Sequence, residues 1–271
     1  MAVSSLSSNV DEKLEKGMSN NVAVITGAAS GIGQATALVF AQRGYAVVGA
    51  DRDEVGLEQT AAQIKAINGV FEYRVVDVAN ESEVSALVSG AKDRFGKVSA
   101  VVSCAGVART GRIDQMPRTE WDLQIAVNLT GTYLLAKSAM EVFIEQQFGS
   151  FVAVSSDAGV RGAAGYAAYC ASKHGVIGLV RCLALDYGRF GIRSNVVCPG
   201  FVQTKMMDQL FAEAANPEQE KHSYMKEVPL GRFAEPEEVG KVIEHLCSGD
   251  AAYTNGMIYS LDGGVTAGHF E

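Results

Sequence analysis

A short apolar run, Val22-Ala-Val-Ile25, leads without a break into Thr26-Gly27-Ala28-Ala29-Ser30-Gly31-Ile32-Gly33 and then into a helical pattern. No other stretch constrains the fold as strongly. A continuous apolar run of this length fits a strand buried on both faces of a parallel sheet, with helices above and below it. Each glycine then has a mechanical reason. Gly27 permits a sharp exit from the strand, and Gly31 lets backbone approach a pyrophosphate lying on the helix N-terminus. Gly33 lets helix and strand pack closely. The spacing G-x-x-x-G-x-G differs from G-x-G-x-x-G, but the same physics applies. The turn reads as a dinucleotide cradle, completed by Ser30 and Ile32.

The alternation continues along the chain. Ala46–Gly49, Val70–Val76, Ala100–Val102, Phe151–Val154, Ser194–Val197 and Met257–Leu261 read as strands. Helical patterns fall between them at Gly33–Arg43, Glu54–Ile67, Glu81–Phe95, Thr119–Gln146, Tyr169–Phe190 and Pro236–Leu246. The last opens on Pro236, Glu237 and Glu238, a helix-start signature. Such alternation implies right-handed βαβ units and an α/β, Rossmann-type, doubly wound parallel sheet with helices on both faces. One domain is expected over residues 21–271, with a substrate loop at about 203–228. Residues 1–20 are polar, without an apolar signal-peptide core, and are expected to form a flexible extension.

Composition narrows the function classes. With 31 acidic against 23 basic residues and a formal charge of −8, the chain is a poor match to nucleic acid or an anionic membrane surface. Its apolar runs are too short to cross a bilayer. Five cysteines, odd in number and without a C-x-x-C pair, point to reduced thiols and a cytoplasmic protein. No His/Cys/Asp grouping has metal-ligand spacing, so no catalytic metal is expected.

Tyr169 and Lys173 stand four apart in a helical pattern, which puts both on one face. A phenol needs about three units of pKa depression, roughly 4 kcal/mol, to act as a base near neutrality. A nearby ammonium and a cationic nicotinamide both favour the phenolate. Ser156 follows the Phe151–Val154 strand at the sheet edge where open α/β folds bind ligands. The glycines 159, 162 and 165 between it and Tyr169 let that loop fold a hydroxyl back beside the phenol. His174 and Cys170 lie about 100° round the helix from Lys173 and Tyr169; His174 reads as a core or interface residue and Cys170 as a packing residue.

Together with Asp77-Val78, Asn128, Pro199-Gly200, Thr204 and Leu261-Asp-Gly-Gly264, these motifs resemble the short-chain dehydrogenase/reductase family in its single-domain branch. The resemblance runs from about Asn21 to Gly264. It implies that Tyr169 is the general acid/base, that Lys173 holds the nicotinamide ribose and lowers the tyrosine pKa, and that Ser156 binds the substrate oxygen. Asn128 would hold a water in a proton relay from Lys173. Pro199, Gly200, Val202 and Thr204 would bracket the nicotinamide. Asp77-Val78 ends the third strand at the same edge, where the carboxylate either binds an adenine amine or serves as a strand-end turn acid. One departure stands out: Ser103-Cys104-Ala105-Gly106 replaces the usual Asn-Asn-Ala-Gly. Cys104, Ala105 and Gly106 still leave room for the cofactor, but the asparagine hydrogen bonds are lost. Phe201, Met206, Met207 and Phe211 would wall an apolar pocket for a small alcohol or ketone.

Asp51 ends the second strand 20 residues after Gly31, where an acid accepts from a ribose diol; the alternative is a cap for the next helix. Asp51 therefore favours NAD(H) over NADP(H), with Arg52 as the counterweight. An NADPH-dependent 3-oxoacyl-carrier-protein reductase and a non-enzymatic dinucleotide sensor are the competing readings. The resemblance also implies a homotetramer paired through the helices at 119–146 and 169–190.

Overall fold

The computed structural model describes residues 21–212 and 216–268. The polar extension expected over residues 1–20 lies outside them. Seven strands make one sheet: β1 (Val22–Thr26), β2 (Ala46–Asp51), β3 (Val70–Val75), β4 (Ala100–Ser103), β5 (Gly149–Val154), β6 (Ile192–Pro199) and β7 (Ile258–Leu261). Their order is β3-β2-β1-β4-β5-β6-β7, and every neighbouring pair is parallel. The order reverses beside β1, which lies between β2 and β4. Thr26 is in register with Ala50 and Ser103, and Val154 with Val197. The strands therefore end nearly level. The segments that begin at Gly27, Cys104, Ser155 and Gly200 all open on one edge.

Helices α1 (Gly31–Gln42), α2 (Glu54–Ala66) and α3 (Glu81–Phe95) alternate with the first strands as the sequence pattern implies. Asp53 caps α2 by accepting from the Gly56 N–H at 3.1 Å, and Asn80 caps α3 by accepting from the Ser82 N–H at 3.1 Å. Along β1 the side chains alternate between two cores. Ala23 and Ile25 join Phe40 of α1 and Leu57 and Ile64 of α2. Val24 faces the other way, with Leu87 of α3. Burying a side chain such as Phe40 or Leu87 contributes roughly 1.5–3 kcal/mol, so the alternation fixes the register of the central strand.

The long helix expected at Thr119–Gln146 is divided. α4 (Arg118–Gln124) passes into a π-helical stretch, Ile125–Thr130, and then into α5 (Gly131–Gln146). The wider turn carries Asn128, which is completely buried and hydrogen-bonded to Val107 and Ser172. Such turns occur where side-chain demands override regular winding. α6 (Ala167–Tyr187) carries Tyr169 and Lys173 and packs, with α5, on the Val24 face of the sheet. His174, expected among packing residues, is exposed, with Nδ1 bonded to the Cys170 carbonyl at 2.9 Å. It faces away from Lys173, as its spacing requires.

The expected substrate loop holds two helices, α7 (Lys205–Ala212) and α8 (Pro217–Lys226), with residues 213–215 outside the described chain. Phe211 and Tyr224 bind them together at a ring separation of 5.7 Å. α9 (Pro236–Cys247) starts with the anticipated proline and a reciprocal Glu235/Glu238 capping box. It packs beside α1 on the Ile25 face, through Val239, Ile243 and Leu246.

Candidate active site

The glycine turn is shaped by two close approaches. A Cβ on Gly33 would lie 2.0 Å from the Gly27 carbonyl oxygen, and one on Gly27 would lie 2.8 Å from the Ala105 nitrogen. Only glycine fits either place. At the N-terminus of α1, the Ser30 side chain makes no capping bond, so the first turn offers its N–H groups to an anion. The Thr204 methyl lies 3.2 Å from where a Gly31 Cβ would be, which brings the β6 exit over the turn. Val202 is buried and bridges to Ala234 beneath this exit, and Gly200 donates to the Leu261 carbonyl at 3.0 Å. Ser30, Gly31 and Thr204 share an open cleft of about 560 Å³ with Gln34, Lys205 and Glu235.

Asp51 ends β2 beside this turn. Its Oδ2 accepts from the Ala29 N–H at 3.2 Å, and its Oδ1 accepts from the Asp53 N–H at 3.1 Å. Asp53 takes the capping role, so Asp51 instead braces the turn. Arg52 is exposed. Asp77 is also exposed and accepts from the Ala79 N–H at 2.9 Å, closing a local turn next to the buried Val78.

Ser103 stands at the end of β4 and is buried. Its hydroxyl pairs with Thr132 Oγ1 at 2.9 Å, and Thr132 in turn donates to the Asn128 carbonyl at 2.7 Å. Burial pushes the Cys104 thiol up to about 12, so it stays protonated. Gly106 then passes between two polar groups: a Cβ there would lie 3.4 Å from Asn128 Oδ1 and 3.5 Å from Lys173 Nζ.

Lys173 is 4% exposed and donates from Nζ to the Val154 carbonyl at 2.9 Å. Burial pulls it down to about 8, which still leaves it mostly charged at neutral pH. Its Nζ lies 5.7 Å from the centre of the Tyr169 ring. Burial pushes the Tyr169 phenol up to about 12; the Ser156 side chain draws it back, and Asp157 and Cys170 add to the rise. The expected lowering of the phenol by Lys173 is not seen: burial is the largest influence, and of the groups that shift the phenol only the Ser156 side chain lowers it. Ser156 is buried, donates to Asp157 Oδ1 at 2.9 Å and accepts from the Ala158 N–H at 3.1 Å.

The four candidate catalytic residues therefore meet at one edge, beside the glycine turn. The apolar wall is less uniform. Phe201, Met207, Phe211, Tyr224 and Phe233 pack as one cluster, whereas Met206 is 40% exposed and outside it. Three further participants escaped the sequence reading. Ser172 accepts from Asn128 Nδ2 at 3.0 Å and donates to the Tyr169 carbonyl at 2.8 Å; Asp157 and Arg161 form a buried-to-surface ion pair at 2.8 Å. The i, i+4 spacing of Asp157 and Arg161 was the available signal. Among the described residues, no helix is long and apolar enough to cross a membrane, and no cluster of metal-ligating side chains occurs.

A family model described as enoyl-(acyl carrier protein) reductase matches residues 27–266. The 3-oxoacyl-[acyl-carrier-protein] reductase FabG of Thermotoga maritima is 35% identical over 92% of this chain and 98% of its own length. The chain belongs to the short-chain dehydrogenase/reductase family. Levodione reductase of Leifsonia aquatica, another relative, is 32% identical over 92% of this chain and 96% of its own. A crystal structure of levodione reductase superposes with a TM-score of 0.90 at 31% identity, covering 93% of this chain and 100% of that one. An actinorhodin polyketide ketoreductase variant with NADPH gives 0.87 at 30% identity, over 90% and 97% of the two chains. Family members are oxidoreductases that bind a nicotinamide cofactor, and this chain is an oxidoreductase of that kind.

Proposed function

We propose that the protein transfers a hydride between a nicotinamide dinucleotide and a secondary alcohol or the matching ketone, with NAD(H) preferred. One observation carries the reading: Lys173 Nζ and Asn128 Oδ1 flank Gly106, while Ser156 stands beside the Tyr169 phenol. The residues fit a dinucleotide, because the glycine cradle excludes any Cβ at Gly27 and Gly33 and lies at a helix N-terminus. When bound, the nicotinamide supplies the hydride acceptor or donor.

The chain's own residues handle position and proton. Tyr169 takes the hydroxyl proton on oxidation and returns it on reduction. Ser156 holds the substrate oxygen, and Lys173 keeps positive charge near the phenol. Asn128 fixes the Gly106–Val107 backbone and continues the proton path from Lys173. Tyr169→Phe should bind cofactor as the unmodified protein does and lose about 10²–10⁴ in kcat. A variant with most of its turnover intact would sink this mechanism.

Cofactor preference rests on charge. A 2′-phosphate beside Asp51 would meet a repulsion of about 4 kcal/mol per unit-charge pair at 4 Å and an effective dielectric of 20. Arg52 offsets part of it, leaving the site near neutral rather than positive. At least a tenfold advantage in kcat/KM for NADH over NADPH is expected. Equal or better efficiency with NADPH would instead favour the carrier-protein reductase reading, which the likeness to FabG supports. We also read the protein as a cytoplasmic homotetramer. Leu185 of α6 (83% exposed) and Tyr133 of α5 (46% exposed) leave apolar surface for a partner subunit. A concentration-independent monomer by light scattering would refute the tetramer.

A further inference from the structure

Ser156 has one hydroxyl hydrogen, and besides the Tyr169 phenol, whose pKa its side chain lowers, it has Asp157 Oδ1 at 2.9 Å to donate to. A hydroxyl that donates there cannot also donate to a substrate oxygen. Asp157 is itself buried, at 7% exposed, so its carboxylate needs compensation. Arg161 supplies it through two bonds to Oδ2, from Nε at 3.0 Å and Nη2 at 2.8 Å. The same Nη2 reaches Glu227 Oε2 at 3.6 Å, just beyond α8. Tyr166 and Tyr224 make a second link between the catalytic loop and α8, with their hydroxyls 3.4 Å apart.

The geometry points to Asp157 as a positioning residue for the proposed reaction: it holds the Ser156 hydrogen away from Tyr169 until a substrate oxygen takes it, and Arg161 tempers that hold while tying it to the end of α8. The assignment rests on the oxidoreductase reading above. A carboxylate engaged by a guanidinium on one oxygen is a weaker acceptor on the other, so Arg161 keeps the serine available. Without Arg161, the two acids Asp157 and Glu227 would lose the guanidinium they share. Without Asp157, the positive charge of Arg161 would remain. The two losses therefore act on Tyr169 with opposite sign.

The groups that face Tyr169 are few. Asp157 and Cys170 raise it, the Ser156 side chain lowers it, and Lys173 lies 5.7 Å from its ring. The Tyr166 ring lies 6.2 Å away and is itself affected by Tyr224 and Glu220. Only Asp157 and Arg161 change among the proteins whose pH profiles are compared.

Alcohol oxidation is followed against pH for the unmodified protein, Asp157→Asn, Arg161→Gln and the double variant. Arg161→Gln should move the acidic limb of kcat/KM up by at least about half a pH unit, and Asp157→Asn should move it down by a similar amount. The double variant should return close to the original midpoint. Asp157→Asn should change kcat in the Ser156 protein and add nothing to Ser156→Ala. Ring-carbon NMR of ¹³C-tyrosine, with Tyr169→Phe to identify the signal, reads the same shifts without turnover, so an error in the reaction itself is distinguishable. Uniform activity losses with an unmoved midpoint and an unmoved Tyr169 signal would assign the pair a purely structural role and overturn the proposal. Arg161 is a third exposed at its side chain, so its variant stays interpretable should Asp157→Asn fold poorly.

Discussion

Asn128 and Val107 hold each other by two hydrogen bonds: the Val107 N–H donates to Oδ1 at 2.8 Å, and Nδ2 donates back to the Val107 carbonyl at 2.9 Å. The amide thus clamps the loop that carries Gly106 past Lys173. Asn128→Asp keeps the acceptor and loses both donated bonds, to Val107 and Ser172, while burying a charge. It should cost at least about 2–3 kcal/mol of stability. Turnover should fall more steeply than cofactor affinity. Chemical denaturation alongside NADH titration checks both; a variant as stable as its parent would show that the clamp has no energetic weight.

Lys173 gives a pH signature with a defined sign. Its folded pKa of about 8 is depressed below the unfolded value of about 10.4, so the unfolded chain binds the proton more tightly in that window. The cost of burying the ammonium is fully present below pH 8 and is relieved as pH rises toward 10. It amounts to roughly 3 kcal/mol. Lys173→Met should therefore gain stability relative to the parent at pH 7, and the gain should shrink by pH 9.5. Tyr169 works the other way: its raised pKa of about 12 begins to erode stability only above the unfolded value of about 10. Urea midpoints measured between pH 7 and 9.5 separate the two; a pH-independent difference would contradict the depressed lysine.

Asp51 combines charge with bracing, and two substitutions separate these roles. Asp51→Asn retains an oxygen for the Ala29 N–H but removes the negative charge. Asp51→Ala removes both. Both should shift kcat/KM toward NADPH relative to NADH, with the alanine variant losing several-fold more with each cofactor. An unchanged ratio in Asp51→Asn would deny the carboxylate any part in cofactor choice.

Gly33→Ala places a methyl 2.0 Å from the Gly27 oxygen, and neither backbone can retreat without separating α1 from β1. We expect a loss of more than about 3 kcal/mol and no measurable cofactor binding in any folded remainder. Thermal unfolding with and without NADH reads both; a stable, cofactor-binding Gly33→Ala would refute the close packing.

Much of this was legible in the chain because the physics is local. Periodicity places β1 to β7 within a residue or two, since the inner strands, buried on both faces, have no choice but to be apolar, and the edge strands β3 and β7 keep enough apolar residues to be recognised. The glycine turn, the Tyr169–Lys173 face and the capped start at Pro236 are short-range patterns too. The π-helical stretch around Asn128 was not, because it is set by Val107 and Ser172, which lie 21 and 44 residues away. The bracing by Asp51 and the serine-to-Asp157 bond were missed for a related reason. A carboxylate reads the same in sequence whether it awaits a ligand or already serves its neighbours. Met206 fitted an apolar pattern, but helical phase turned it outward while Met207 and Phe211 turned in.

The π-helical stretch also fixes the arithmetic of chain length. Each residue added to or removed from a regular helix rotates all that follows by about 100°. Between Arg118 and Gln146, Asn128 must reach the sheet edge while Leu134, Leu135 and Phe143 keep their places in the core. The wide turn absorbs the phase difference between those two demands. A one-residue deletion there would restore regular winding, yet it would set the polar clamp and the apolar face out of step. The segment is thus closed to small insertions and deletions, and its surroundings enforce length throughout as strictly as they enforce identity at Asn128.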